Sequence, residues 1–267
     1  MAVSVLTGTT VSLTGDEVAA LVQAWFWPLV RVGGFVMAAP LLGTRAVPAR
    51  IRMVLAVALT AVIAPILPPL PAYAVLDPQW LLTTAQQVCI GVALGLAVRM
   101  AFLVLELSGQ IIAMQMGLGF AAMVDPQNGT QVPVVGQFYV VVATLLFLAV
   151  DGHLALVDLL ARSFTLLPVG TGGLDVARIG EVSQWAGWLF AQAVVISSPA
   201  VVALLGVNVA FGIMTRAAPQ LNVFAVGFPV TILVGVGIIL LALPAFIEIL
   251  TGTFTQAFAL AEGLLSG

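Results

Sequence analysis

The chain has 267 residues, of which 62% are hydrophobic and 7% are charged, and its mean hydropathy is +1.21. This composition excludes a water-soluble globular domain and predicts an integral membrane protein. The net charge is −3, and the chain contains arginine but no lysine. It therefore offers no basic patch for nucleic acid. Frequent Gly and Ala with weak alternation of apolar and polar residues predict an all-α fold rather than a β-barrel.

The first predicted membrane helix, residues 18–42, is followed by the densest group of positive charges in the chain, Arg45, Arg50 and Arg52. Positive charge is enriched on the cytoplasmic side of membrane proteins, so we predict that this loop is cytoplasmic. A second apolar segment, residues 53–67, ends at a proline-rich sequence that no helix tolerates.

A third apolar segment, residues 80–100, carries Gly91 and Gly95 in a small-xxx-small spacing that lets a neighbouring helix approach closely. Residues 132–150 and 154–167 form two shorter segments with only three residues between them. Such a short separation predicts either a tight hairpin or a break within one longer element.

The last third of the chain predicts a helical hairpin. A weakly apolar stretch, residues 168–181, is the best candidate for a domain boundary. Beyond it, the apolar segments 185–214 and 221–250 flank a polar turn that contains Arg216. This basic tip is predicted to face the cytoplasm, like the loop near Arg50.

Enzyme motifs are nearly absent. His153 and Cys89 are far apart in the sequence and do not suggest a nucleophile with its base, and no phosphate-binding loop or metalloprotease helix occurs. We therefore predict no enzymatic activity, no cofactor and no metal site.

Four ionisable residues lie inside apolar segments: Arg31, Arg99, Glu106 and Glu248. A charge at the centre of a bilayer costs about 2.5–3.5 kcal/mol, so such residues need partners. We predict that they form ion pairs within the membrane or between subunits. The alternative is a proton or ion relay, which normally requires more carboxylates in line.

The central segment, residues 106–131, departs from the pattern of an ordinary membrane helix. Small residues recur at every fourth position from Gly109 to Ala121, which would give a tightly packed helix one smooth face. Against that interpretation, Gly117 and Gly119 each weaken a helix by about 1 kcal/mol. Turn-forming pairs then follow, and they are Asp125-Pro126 and Asn128-Gly129.

Irregular backbone at membrane depth is tolerated only where it is buried in protein or lines a water-filled cavity. A loop rich in Met and Gly meets this condition if it lines a pore, because thioether side chains repack around different shapes. An apolar constriction also blocks ions and water by dewetting. A loop of this composition that lines a pore would therefore make a pliable plug.

Several motifs along the whole chain resemble the FliR family, the R subunit of the flagellar export gate, which has a relative in type III secretion. The motifs are GQIIAMQMGLGFA from Gly109, VDPQNG from Val124, VPVVGQF from Val132, FLAVDGH from Phe147, SFTLLPVG from Ser163 and RAAPQLNVFAVGFP from Arg216. The resemblance implies broken helices and hairpins in a helical ring. Residues 1–180 would be the portion similar to the P subunit, and residues 181–267 the hairpin similar to the Q subunit, with a C-terminal tail.

The resemblance also implies that the central loop lies in the pore of a protein-conducting channel. The preceding helix would then end near Ile111. The residues expected to form the plug are Ile112, Met114, Met116, Gly117, Leu118, Gly119, Phe120 and Met123. The expected anchor of the loop is the turn formed by Asp125, Pro126, Asn128 and Gly129.

The partners implied by the resemblance are the P and Q subunits of the gate, in a hetero-oligomer with one copy of this chain. The export components FlhA and FlhB, unfolded export substrates and membrane lipid are also implied, in the flagellar basal body of the bacterial inner membrane. Two other hypotheses remain open from the residues: a secondary transporter or ion-channel subunit with a broken-helix site, and a scaffold that only nucleates a ring.

Overall fold

The computed structural model describes residues 2–4, 10–12, 15–44, 47–68, 70–71, 73–74, 77–119, 134–170, 176–218 and 223–265. Two short strands, β1 (Ala2–Ser4) and β2 (Thr10–Ser12), pair in antiparallel register near the N-terminus. The rest of the regular structure in these residues is helical. The helices are α1 (Gly15–Ala38), α2 (Ala49–Ile63), a 3-10 helix (Ala64–Ile66), α3 (Pro78–Gln115), α4 (Val134–Ala149), α5 (Gly152–Leu166), α6 (Val176–Ala217) and α7 (Val223–Leu265).

Within the described residues, five helical stretches are long and apolar enough to cross a membrane. They are Ala20–Ala38, Ala49–Ile66, Pro78–Gln115, Gln184–Ala217 and Val226–Leu265. The chain is thus an all-α membrane protein, as its composition predicts. The two long C-terminal stretches have only 17% and 22% of their most apolar windows buried, so most of their surface is left for lipid or for other proteins.

Helices α4 and α5 form the broken element that the short separation predicts. They bend by 71° at the break between them and would together make a sixth span. At the bend, Asp151 adopts a positive φ of 57°. Gly152 follows directly under the ring of Phe147, where a Cβ would lie 2.5 Å from a ring carbon. A larger residue would displace that ring, so the bend is specified by local packing.

Helix α3 is longer than the sequence predicts. The apolar segment predicted at residues 80–100 is only part of it, because the helix continues through Arg99 and Glu106 to Gln115. Its buried face continues without interruption past that point, and the buried residues there include Ala101, Val104, Leu105, Ser108 and Ile112. A single half-buried charge does not end a helix whose apolar face remains packed.

The chain divides into two compact units. The first contains Met1–Arg99, Leu154–Ile179 and Leu260–Gly267, and the second contains Met100–His153 and Gly180–Ala259. This division follows internal packing. The predicted division near residue 180 follows the weakly apolar stretch 168–181 and the resemblance to the P and Q subunits, and it stays a prediction.

In the first unit, α1 packs closely against α3. A Cβ at Gly95 would lie 2.8 Å from the backbone oxygen of Phe35, and a Cβ at Gly91 would clash with the backbone oxygen of Arg31. The prediction that Gly91 and Gly95 admit a neighbouring helix is therefore confirmed. Trp27 is fully buried beside this contact, with its ring centroid 5.6 Å from that of Trp80.

In the second unit, aromatic rings join α3, α4 and α7. The ring centroid of Phe102 lies 5.4 Å from that of Phe147 and 5.3 Å from that of Phe254. The start of α6 lies beside the end of α7, where Trp188 Nε1 donates a hydrogen bond to Gln256 Oε1 at 3.2 Å, and the predicted hairpin stays a prediction. These contacts provide the frame in which the central loop begins and ends.

Candidate functional site

The end of α3 is specified by its backbone. Gly117 has a φ of 84°, a conformation that residues with a Cβ rarely adopt. Its N–H donates to the carbonyl of Met114 at 3.0 Å, and the N–H of Leu118 donates to the carbonyl of Ala113 at 3.0 Å. This pair of bonds is the Schellman motif, which satisfies carbonyls that the helix leaves without partners.

The predicted helix end near Ile111 is therefore wrong by about one turn. Ile112 and Ala113 are 2% and 3% exposed, so the helix keeps burying an apolar face beyond the predicted end. The residue that stops it is Gly117, since it supplies the left-handed conformation that the motif requires. We refer to residues 112–118 as the loop root.

The side chain of Met116 lies flat across Gly235 of α7. Met116 is 1% exposed. A Cβ at Gly235 would lie 2.6 Å from Met116 Cγ, 2.7 Å from Cε and 2.8 Å from Sδ. The backbone carbonyl of Met116 also accepts a hydrogen bond from Thr231 Oγ1 at 3.3 Å. The loop root is thus docked on α7 by its side chain and by its backbone.

The two helices on either side of the central loop are in backbone contact. A Cβ at Gly109 of α3 would lie 2.6 Å from the Cα of Gly136 in α4. A Cβ at Gly136 would lie 2.8 Å from the carbonyl oxygen of Glu106. The segment 116–133 therefore connects two helices that cross closely. The crossing lies at Gly109, before the segment begins, and at Gly136, after it ends.

The predicted plug residues fall into buried and exposed groups. Ile112 and Met116 are buried, whereas Met114 is 66% exposed although it lies between them in the sequence. Gly117 and Leu118 are half-buried, and Gly119 is exposed. The remaining predicted plug and anchor residues lie outside the described residues, and they are Phe120, Met123, Asp125, Pro126, Asn128 and Gly129.

Sequence reasoning missed Thr231 and Gly235. The only local signal is the pair of glycines at 235 and 237 in an apolar helix, which marks a place where another chain segment can approach. Which of the two glycines is contacted, and by which residue, depends on how α7 packs on α3.

Arg31 is a fully buried cation of the first unit, and it joins three helices. Its Nε donates to Gln87 Oε1 at 2.7 Å, its Nη1 to the carbonyl of Ser163 at 2.7 Å, and its Nη2 to the carbonyl of Leu167 at 2.8 Å. The guanidinium carbon also lies 4.2 Å from the ring centroid of Phe164. The two carbonyls lie at the C-terminal end of α5, where the helix dipole favours a positive charge.

The four residues predicted to form intramembrane or intersubunit ion pairs, Arg31, Arg99, Glu106 and Glu248, form no ion pair with the described residues of this chain. The ion pair found there joins Arg162 to Asp158 at 2.7 Å, and both side chains are more than half exposed. Arg31 uses neutral acceptors instead, while Arg99 and Glu106 are half-buried and Glu248 is exposed. Pairing of these residues with other subunits stays a prediction.

The arginines of the predicted cytoplasmic loops are placed as follows. Arg50 is exposed at the start of α2, and Arg216 is exposed in the last turn of α6. Arg52 is half-buried, and its Nε donates to the carbonyl of Val47 at 3.1 Å. Arg45 lies outside the described residues, and the orientation of these loops across the membrane stays a prediction.

No group of three or more His, Cys, Asp or Glu side chains in the described residues is arranged to hold a metal ion. Cys89 is exposed on α3, and His153 is exposed near the start of α5. The features that the described residues of this site show are close packing at Gly109 and Gly235 and a helix end fixed at Gly117.

Comparison with known proteins gives a match over most of the chain. Residues 22–257 match the family described as bacterial export proteins, family 1. The chain is 38% identical to the flagellar biosynthetic protein FliR of Pectobacterium carotovorum over 250 residues, which cover 92% of this chain and 94% of that protein. It is 34% identical to FliR of Escherichia coli K12, covering 95% and 97%. It is 28% identical to FliR of Bacillus subtilis, covering 94% and 98%.

Proposed function

The chain belongs to family 1 of the bacterial export proteins and is a component of the flagellar export apparatus, and we propose that in this apparatus it forms part of the protein-conducting channel. In this proposal the central loop, from Ile112 to Met123, seals the channel at rest. It yields when an unfolded export substrate passes. The turn at Asp125 to Gly129 anchors the far end of the loop.

The observation that carries this proposal is the fixed base of the loop. Its flanking helices are held together at Gly109 and Gly136, and the first of them ends at a defined residue, Gly117. A segment whose flanking helices are fixed, and whose root carries pliable Met side chains, can close an opening without displacing the helices around it. Met114, which is 66% exposed beside the buried Met116, is the apolar side chain at the loop root available for this role.

The exposed apolar surface supports assembly with other proteins of the apparatus. Large apolar side chains are exposed along α6 and α7, among them Phe190, Val202, Ile213, Leu233 and Leu241. Exposed apolar side chains of this size are covered by lipid or by protein partners. We assign it to the P and Q subunits of the gate and to lipid of the inner membrane, with FlhA and FlhB as further partners in the basal body.

The proposal is tested by deleting Met114–Met123 and measuring the ion leak of the assembled gate in membranes. We expect the deletion to increase the leak several-fold. A milder pair of variants is Met114→Gln and Met214→Gln, since both methionines are exposed but only the first lies at the loop root. Only Met114→Gln should increase the leak.

Each outcome separates the candidate functions. An unchanged leak in a fully assembled deletion variant would show that the loop is not a plug. If the deletion instead reduces the recovery of the complex without any leak, the scaffold hypothesis is favoured. Purification in mild detergent as a multi-subunit complex supports the gate, whereas an isolated monomer supports a transporter.

A further inference from the structure

We propose that Thr231 and Gly235 form a latch on α7 that holds Met116, and with it the loop root, in the resting position. In this proposal Met116 leaves the surface of Gly235 when the channel opens. The inference rests on the proposed function of the central loop as a plug, and it assigns to two residues of α7 the role of positioning that loop.

The contact at Gly235 depends on the absence of a side chain. Three successive heavy atoms of Met116 lie within 2.8 Å of the place that a Cβ would occupy. A shift of the methyl end alone would not relieve such a clash, because Cγ is the closest of the three. Even alanine at 235 is therefore expected to displace the whole Met116 side chain.

The same contact includes the backbone of the loop root. The carbonyl of Met116 lies at the end of α3, where carbonyls have no N–H donor within the helix. It accepts from Thr231 Oγ1, one helical turn before Gly235 on the same helix. The single hydroxyl proton of Thr231 can also be directed to the carbonyl of Phe228 at 2.9 Å, so the hydroxyl keeps an acceptor when Met116 leaves. Release of Met116 therefore leaves no unpaired hydroxyl on α7.

Both partners of the contact between Met116 and Gly235 lie in segments that can move. On the loop side, Met116 is unbranched and is followed directly by Gly117, so it can change position without unfolding the rest of α3. On the other side, Pro229 and Pro244 lie within α7 on either side of the latch. Proline removes a helical hydrogen bond and allows a helix to kink, so this part of α7 can hinge.

The first test compares Gly235→Ala with Gly237→Ala. Gly237 lies on the same helix with nothing within 4 Å of its Cβ position, so it reports the general effect of alanine in this segment. We expect Gly235→Ala to raise the resting ion leak several-fold and Gly237→Ala to leave it unchanged. Equal leaks of the two variants would overturn the latch.

A double-mutant cycle with Met116→Ala tests the specific pair. If Met116 acts through Gly235, the variant with both substitutions should leak no more than Met116→Ala alone. Leaks that multiply in the double variant would show that the two residues act independently, which contradicts the latch.

The closing experiment joins the two sides covalently in the intact export complex. Met116→Cys and Gly235→Cys are introduced together in a Cys89→Ser background, with Met116→Cys and Gly237→Cys as the control. We expect a disulfide only in the first pair, and we expect export to stop until a reductant is added. Absence of the disulfide in the first pair, or normal export by the crosslinked gate, would overturn the latch.

This design keeps the latch separate from the plug. A crosslinked gate that exports normally leaves the plug intact as a hypothesis, provided that deletion of Met114–Met123 still causes a leak. A deletion without a leak refutes the plug, and the latch with it, whatever the crosslinking result.

Discussion

Arg31 in the first unit and Met116 at the loop root in the second are both buried among apolar helices, but they are held in different ways. Arg31 donates hydrogen bonds from all three guanidinium nitrogens to residues of α3 and to the end of α5. Met116 is held mainly by its fit over Gly235, with a single long hydrogen bond of 3.3 Å. Directional hydrogen bonds of a charged group resist displacement, whereas van der Waals contacts between complementary surfaces can be broken and formed again.

The difference matters for a channel that must open. Each hydrogen bond of a charged group contributes about 1.5–3 kcal/mol, and breaking several at once leaves buried polar groups unsatisfied. Burial of one Met side chain contributes about 1.5–3 kcal/mol in total, without such a penalty when it moves to another apolar surface. We infer that the packing around Arg31 in the first unit stays fixed. The contact between Met116 and Gly235 in the second unit is the one that can be released.

The largest expected effect comes from Arg31→Leu. The substitution removes the donors for Gln87 Oε1 and for the carbonyl of Leu167, and it leaves the carbonyl of Ser163 with the N–H of Leu167 as its donor. We expect a loss of about 3 kcal/mol or more in the free energy of unfolding. Thermal unfolding in detergent and the amount of chain in membranes measure this loss.

The matched control is Arg162→Leu, which removes an exposed ion pair with Asp158. That pair is expected to contribute less than about 0.5 kcal/mol. Arg31→Lys should behave almost like Arg31→Leu, because an ammonium group cannot reach three acceptors in the geometry of a guanidinium. Equal stability of the Arg31 and Arg162 variants would remove the contrast between a fixed and a releasable region.

The next largest effect is expected from Gly109→Ala, which tests whether the crossing of α3 and α4 at Gly109 and Gly136 is as rigid as we infer. A Cβ there would clash with the backbone of Gly136, which cannot move aside as a side chain can. Such overpacking costs about 1–3 kcal/mol. Gly187→Ala on α6, where nothing lies within 4 Å, is the control. Thermal unfolding should separate the two variants, and similar unfolding temperatures would mean that the helix crossing is loose.

A smaller effect is expected from Gly117→Ala. The positive φ of Gly117 costs about 1–2 kcal/mol for a residue with a Cβ, so the end of α3 should fray. Hydrogen exchange of the amides of Gly117 and Leu118 measures the fraying. Gly119→Ala has open space around it and should exchange like the unmodified chain. Unchanged exchange in Gly117→Ala would show that the Schellman motif does not hold the loop root.

Much of this fold follows from sequence patterns because those patterns are local. The apolar segments, the break before Gly152 and the small-residue face at Gly91 and Gly95 depend on residues within a few helical turns. The predicted end of α3 near Ile111 is about one turn too early, because it gives weight to the low helix propensity of Gly117 and Gly119 and to the polar residues around them. Burial of Ile112 outweighed that propensity, and only Gly117 is the actual stop.

The two buried contacts could not be predicted because they join distant parts of the chain. Arg31 was expected to need a carboxylate, but its acceptors are an amide oxygen and carbonyls at a helix end, more than 100 residues away in the case of Ser163. Likewise, Thr231 reaches Met116 across 115 positions. Neither pairing leaves a periodic signal, since each depends on which helices become neighbours.

The smallest expected effect comes from Thr231→Val, which removes a hydroxyl but keeps the shape of the latch. The lost bond to the Met116 carbonyl is 3.3 Å long, so we expect a change of only about 0.5 kcal/mol and a leak well below that of Gly235→Ala. Thr215→Val, which removes an exposed hydroxyl bonded to Gly212 within α6, is the control. The measurements are the resting leak and the yield of the 116–235 disulfide in each background. A leak in Thr231→Val as large as that in Gly235→Ala would mean that the loop root, like Arg31, is held by its hydrogen bond rather than by its fit.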